Sequence, residues 1–284
     1  MSHLISVEQL IQLENVQILE VGEKTADPLN AARALDLYQA NHITDAQYVD
    51  LNLQFSKQTG SLKYQCPSLI ELKNSFKQLK LNWAKPIVIY DRGNHIWAAR
   101  LWWILSAYGH TQCYVLHGGW QAWLSAQQNH ADLRFKQRLE RHSQQYYFPD
   151  DIELNPNRFA KLDDVIDISK YLSEIQLINV LRKPVFDGTE LSYHRAGHIP
   201  NSRNIPFSNF LDENGRFQTI DSAFLQQHFL EISKDIILYC GSGVTASGAA
   251  LALIEAGARA VKIYDGSMDE WSANPSLPLI LSTE

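Results

Sequence analysis

The chain has 284 residues, 45% hydrophobic and 20% charged, which is enough for one large or two ordinary domains with a real core. Its formal charge of −6, with no basic stripe, argues against nucleic acid or an anionic membrane as the main partner. The three cysteines, Cys66, Cys113 and Cys240, are widely spaced with no CxxC pair, so they suit a reducing compartment and support neither a disulfide framework nor a zinc site.

The first eight residues, Met1 to Glu8, lack a basic segment followed by an apolar run, and no stretch approaches the length of a membrane span. The expected location is the cytoplasm. Ser6 to Leu13 reads as a short helix and Gln17 to Val21 as a strand. His42-Ile43 lies in the next landmark, Asn41 to Leu51. Pro67 to Leu79 predicts a helix and Pro86 to Tyr90 a buried strand, which runs into Asp91-Arg92-Gly93 and a helix through Ala98 to Leu105. Gly109-His110 ends that helix, Cys113 to Leu116 is another strand, and Gly118 to Trp123 opens a further helix. Strands alternating with helices imply parallel β-α units. Cys66 and Cys113 read as structural, and Trp102, Trp103, Trp120 and Trp123 as core or domain-interface residues.

From about Arg134 to Asn157 the pattern breaks down into polar and turn-forming residues, which marks a domain boundary. Beyond that boundary the chain repeats its first half. His42-Ile43 is echoed by His198-Ile199 at an offset of 156, Asp91 aligns with Cys240 at 149, and Gly118 aligns with Gly266 at 148. Three matches in order indicate a duplicated domain of about 130 residues. The expected division is a first domain over 1–133, catalytically inactive with Asp91 at the cysteine position, a linker over 134–158, and a catalytic domain over 159–284.

The second copy carries the chemistry. Ile236 to Tyr239 is a short buried strand, Cys240 follows, then Gly241-Ser242-Gly243, then an Ala/Leu-rich helix from Val244 to Ala256 closed by Gly257. A cysteine at a strand-to-helix turn faces the N-terminal end of a helix. Two glycines let backbone N–H groups converge on one point, and with the helix dipole they favour an anion, a thiolate included. Such a setting lowers a cysteine pKa from about 8.5 to roughly 3.5–7.5.

These residues together resemble a tandem rhodanese, the two-domain sulfurtransferase family. The resemblance covers nearly the whole chain: Cys240 to Ala246 is similar to the active-site loop of the mercaptopyruvate sulfurtransferase branch, and Gly197 to Phe207 and Tyr264 to Ser267 are similar to two further family signatures. It implies an α/β fold, two rhodanese-like domains each built on a mostly parallel five-stranded sheet flanked by helices. It also implies a persulfide mechanism, in which Cys240 takes sulfur from a small donor and passes it to a thiol (a thioredoxin-like protein or a low-molecular-weight thiol) or to cyanide. The site expected from it comprises Cys240 and Ser242 as catalytic residues, the backbone of Gly241, Gly243, Val244 and Thr245 as anion cradle, and His42 as a relay toward Ser242. No cofactor or metal is implied.

The neutral Gly-Ser-Gly loop favours 3-mercaptopyruvate over thiosulfate as the donor within this family. In the mercaptopyruvate branch two arginines hold the donor carboxylate; here Val185 stands where the first belongs, and the second has no counterpart. Arg182 and Arg195 lie nearby in sequence as substitutes. Met268 replaces the usual Trp after the Asp-Gly-Ser signature, and His198 reads as a structural hydrogen-bonder. Two alternatives stay open, a thiosulfate:cyanide sulfurtransferase and a non-catalytic sulfur-carrier or binding module. A cysteine phosphatase needs an arginine six positions after the nucleophile, and position 246 is Ala.

Overall fold

The computed structural model describes residues 2–22, 34–129, 145–171 and 173–282. The chain forms two units, Met1–Gly60 with Cys66–Asn155, and Ser61–Gln65 with Pro156–Glu284.

In the first unit β1 (Leu4–Ile5), β2 (Gln17–Gly22), β3 (Gln47–Asp50), β4 (Ile87–Tyr90) and β5 (Cys113–Leu116) form one sheet in the order β1-β5-β4-β2-β3. All its pairings are parallel. In the second unit β6 (Phe159–Ala160), β7 (Gln176–Asn179), β8 (Ser202–Asn204), β9 (Ile236–Tyr239) and β10 (Val261–Tyr264) repeat it as β6-β10-β9-β7-β8, again all parallel. Two sheets with one strand order are the structural form of the repeat in the sequence. The expected class, two parallel five-stranded sheets flanked by helices, is the one observed.

The middle strands β4 and β9 have all four residues buried, which is why each reads as a continuous apolar run. The helices that come next, Ile96–Ala107 and Val244–Glu255, are buried over most of their length as well. Surface helices begin where the sequence carries capping signals. Ser6 and Gln9 form a capping box at Val7–Gln12, and Ser68 and Glu71 another at Leu69–Gln78.

The His-Ile signatures have a shared structural job. In the first unit the Ile43 N–H donates to the Tyr90 hydroxyl at 3.1 Å, and in the second the Ile199 N–H donates to the Tyr239 hydroxyl at 3.2 Å. Each signature is thereby tied to the last residue of the middle strand, one position before Asp91 or Cys240. His198 fits the structural role read for it: its Nδ1 lies 2.9 Å from the Phe186 carbonyl and its ring stacks on Phe186 at 3.7 Å.

Residues 134–144 of the expected linker lie outside the described residues. Residues 145–155 belong to the first unit: Tyr147 exchanges backbone hydrogen bonds with Trp83 and Leu81, and Phe148 is buried against Phe76 and Trp83. The aromatic run Tyr146-Tyr147-Phe148 gives this stretch apolar surface to bury, which a solvated linker lacks. Trp102, Trp103, Trp120 and Trp123 are all buried. Among the described residues no helix is long and apolar enough to cross a membrane.

Candidate active site

Cys240 is the first residue past β9, at the C-terminal edge of the sheet, and is 1% exposed. Parallel sheets gather ligand sites at this edge, because the strands deliver their loops there beside the starts of the next helices. Two segments fix the cysteine. Its own N–H donates to Ser267 Oγ at 3.1 Å, and that hydroxyl donates on to the Tyr264 carbonyl at 2.8 Å. Its carbonyl accepts from the Met268 N–H at 3.1 Å, and the Gly241 carbonyl accepts from the Asp269 N–H at 2.9 Å. The Asp-Gly-Ser signature after β10 is therefore a clamp on the cysteine backbone. Met268 is buried in the core with Tyr239, Ile199 and Trp271.

The turn after Cys240 uses its glycines for two different reasons. Gly243 is the helix N-cap at φ 79°, in the left-handed region that glycine enters without steric cost. Gly241 leaves room for a neighbour: a Cβ there would lie 2.1 Å from the Tyr193 hydroxyl, so a larger residue would displace that ring. Among the described residues, the N–H groups from Gly241 to Ala246 find no acceptor within the chain. Unpaired N–H groups at a helix start, with the positive end of the dipole behind them, form an anion site.

The first unit shows what this turn does when an anion fills it. Asp91, 2% exposed, turns its carboxylate back into its own loop. Oδ1 accepts from the N–H groups of Gly93 and His95 at 3.0 and 3.1 Å, and Oδ2 from those of Trp97 and Ala98 at 3.1 Å each. His95 is the N-cap of the next helix at φ 73°, matching Gly243. Four residues separate Asp91 from its N-cap in register where three separate Cys240 from Gly243, so the second loop is one residue shorter; this is why the repeat offset falls from 149 to 148. Counting from the N-caps, the positions equivalent to His95, Trp97 and Ala98 are Gly243, Thr245 and Ala246. Val244 matches Ile96, which gives nothing to the Asp91 carboxylate, and Ala246 is a member that the sequence reading leaves out.

The arginines read as donor-binding residues are held by other groups. Arg195 gives its guanidinium to four backbone carbonyls: Ser272 and Leu277 at 2.9 and 3.0 Å, Trp271 at 3.2 Å and Asn274 at 2.7 Å. Three of these end the helix Ser267–Ala273 or come directly after it, so Arg195 works as a helix C-cap. That corrects its expected role, since no free fork is left for a substrate carboxylate. Arg182 forms a two-toothed pair with Glu190 at 2.8 and 2.5 Å and is largely exposed. It stands two residues past Val180, whose N–H donates to the Tyr239 carbonyl at 3.1 Å, so it stays at the edge of the Cys240 site. Val185 is buried at 5% exposure.

Ser242 and Thr245 are half-buried on the loop, and Val244 is buried. His42, in the first unit, sets its Nδ1 2.8 Å from the Tyr38 carbonyl and stacks on the Tyr38 ring at 4.2 Å. Cys113 is fully buried, which pushes its thiol pKa well up and makes it inert, while Cys66 is half-buried.

Two residues at the site carry no signal in the sequence reading. Tyr193 has its pKa pushed up by burial and by the charges of Cys240 and Asp269, against the opposing pull of Arg182. Asp269 is raised by burial, with His194 and Lys63 pulling it back. Both lie beside family signatures, Tyr193 four residues before Gly197 and Asp269 two after Ser267, and it is the fold that brings them to Cys240.

Comparisons with known proteins give the family. The chain is 29% identical over 247 residues to 3-mercaptopyruvate sulfurtransferase of Escherichia coli, spanning 85% of this chain and 84% of that one. It is 30% identical over 267 residues to thiosulfate/3-mercaptopyruvate sulfurtransferase 2 of Arabidopsis thaliana, spanning 87% and 77%. The crystal structure of SseA from Escherichia coli, a 3-mercaptopyruvate sulfurtransferase with the rhodanese fold, superposes with a TM-score of 0.75 at 26% identity, covering 94% of this chain and 99% of that one. The Rhodanese-like domain family matches residues 6–126 and again 165–274. With both halves of the chain matched, and one turn holding Asp91 in the first and Cys240 in the second, the chain belongs to the rhodanese family.

Proposed function

We propose that the chain is a sulfurtransferase that carries sulfur on Cys240 as a persulfide, with 3-mercaptopyruvate as the preferred donor. The carrying observation is the Asp91 carboxylate on its four N–H groups, because the same turn surrounds Cys240 with the anion missing from the side chain next to it. A thiolate at that point needs the charge stabilisation that the turn supplies, and so does the outer sulfur of a persulfide.

The steps balance without an oxidant or a metal. The Cys240 thiolate attacks the sulfur of 3-mercaptopyruvate, and the donor's carbon–sulfur bond breaks. The electron pair leaves as the pyruvate enolate, which takes a proton to give pyruvate. An acceptor thiolate, on a thioredoxin-like protein or a small thiol, then attacks the outer sulfur, and Cys240 leaves as the thiolate again; cyanide reacts in the same sense to give thiocyanate. The backbone N–H groups of Gly243, Thr245 and Ala246 face the charge in both steps, and Ser242, half-buried on the loop, is the side chain that assists the donor. The wide spacing of the three cysteines, with no CxxC pair, supports a cytoplasmic setting.

The experiment is steady-state sulfur transfer with 3-mercaptopyruvate and thiosulfate side by side, using thiol and cyanide acceptors, on the wild type and Cys240→Ser. The expected result is transfer with a preference for 3-mercaptopyruvate, abolished in a folded Cys240→Ser protein. Full activity in that variant ends the proposal. A preference for thiosulfate moves the donor to the other one named for the Arabidopsis relative.

A further inference from the structure

Besides the Ser267 hydroxyl that holds the Cys240 N–H, a second hydroxyl from outside the loop reaches the Cys240 turn. Tyr193 lies half-buried in the segment between β7 and β8, and its hydroxyl sits against the backbone of Gly241, the residue after the cysteine, at the place where a side chain there would begin. Among the described residues that hydroxyl takes no hydrogen-bond partner. With no such partner and with access to solvent, the hydroxyl can turn its proton to an acceptor beside it. The charges of Cys240 and Asp269 both act on this phenol, and the Asp269 backbone N–H holds the Gly241 carbonyl at 2.9 Å.

We propose that Tyr193 donates a hydrogen bond to the sulfur borne by Cys240, to the thiolate before transfer and to the outer sulfur of the persulfide after it, and so adds a side-chain donor to the anion cradle that the loop backbone begins. The inference rests on Cys240 being the reactive thiol of the proposed sulfurtransferase.

The electrostatics agree with the geometry. Burial and the charges of Cys240 and Asp269 keep the phenol protonated well above neutral pH, so beside a thiolate it acts as a donor and does not compete as a second anion. No proton changes hands in this role; the bond strengthens as charge gathers on the sulfur.

The test is the pH dependence of Cys240 alkylation by iodoacetamide, followed at the Cys240 peptide by mass spectrometry, in the wild type, Tyr193→Phe and Gly241→Ala. The charged and titratable groups around the thiol stay constant across the set: Asp269, with His194 and Lys63 acting on it, and Arg182 acting on Tyr193. Tyr193→Phe keeps the ring and deletes the donor; Gly241→Ala keeps the donor and pushes it aside. A hydrogen bond to a charged group predicts that the alkylation midpoint rises by about one to two pH units in Tyr193→Phe, and rises also in Gly241→Ala. The kcat/KM for sulfur transfer should fall about ten- to a hundredfold in Tyr193→Phe with the melting temperature unchanged. An unchanged midpoint in both variants overturns the proposal. Alkylation needs no sulfur donor, so this outcome is separable from failure of the sulfurtransferase reading, which shows as a wild type that transfers sulfur from neither donor.

Discussion

Asp91 and Cys240 occupy one position in two copies of the same strand-to-helix turn, and in the first copy the Asp91 carboxylate fills the turn with an anion of its own. The side chain decides what the backbone can do: a carboxylate long enough to fold back takes four of the donors, whereas a cysteine leaves them unpaired. The first unit has thus kept the architecture of the site and closed it with its own chemistry.

Replacing Asp91 with Ala removes the acceptor for four N–H groups at a position 2% exposed. Buried donors left without partners, together with the lost helix cap, should cost about 2 to 4 kcal/mol in urea unfolding. Sulfate should recover part of the loss, because an anion binding the opened turn stabilises the folded state by mass action. A variant as stable as wild type, and indifferent to sulfate, would show that the carboxylate is incidental.

Arg195 separates two roles by what its loss changes. As a cap on four carbonyls it predicts that Arg195→Ala loses about 2 kcal/mol of stability, with KM for an anionic donor altered little in the protein that stays folded. A residue that clamps the donor would give the reverse, a large rise in KM at constant stability. Thermal unfolding and initial rates on one preparation decide between them.

The parts of this molecule legible in sequence are those carried by local signals. The middle strands show as four-residue apolar runs, the turn shows as a cysteine between a strand and two glycines, and the duplication shows through matched spacing. The edge strands β1 and β6 are two residues each, too short for a periodic pattern, and exist because a neighbouring strand pairs with them. Residues 145–155 look like a linker because their polar and turn residues dominate, yet Phe148 finds a pocket between Phe76 and Trp83 that only the folded unit supplies. Arg195 illustrates the limit for single charges. Its spacing from the signature is the same whether it faces a substrate or the end of a helix 77 residues on, and that distant helix end is invisible along the chain. Tyr193 and Asp269 fall under the same limit, since it is tertiary approach to Gly241 that gives them a site.

His110 makes stability sensitive to acid. It is buried against the Trp83 ring at 4.7 Å, and burial lowers its pKa from 6.5 to about 4. The folded state therefore holds it neutral while the unfolded chain protonates it near 6.5. Its contribution is complete above that value and is lost as the pH falls through the window between the two, a change of about 3 kcal/mol. Urea midpoints at pH 7 and pH 5 should differ by less in His110→Phe, which keeps an aromatic ring beside Trp83, than in wild type. Equal pH slopes in the two proteins would remove His110 as the source.

Arg182 is a cation at the edge of the Cys240 site, and Glu190 holds its guanidinium through both terminal nitrogens. A carboxylate already on the fork resembles the group that a keto acid donor would present, so Glu190 and the donor compete for one partner. Exposed pairs of this kind are weak, and exchange is therefore inexpensive. Glu190→Gln should free the fork and lower KM for 3-mercaptopyruvate about two- to fivefold, and Arg182→Gln should raise it by a similar factor, with kcat nearly constant in both. Charge acting through solvent would give the same two signs, so salt is the discriminator. Raising the ionic strength to about 0.5 M screens a through-space effect and would bring both variants back to the wild-type KM. A fork that meets the donor carboxylate directly keeps Arg182→Gln apart from wild type in the same salt, because the lost contact is a hydrogen-bonded pair at close range.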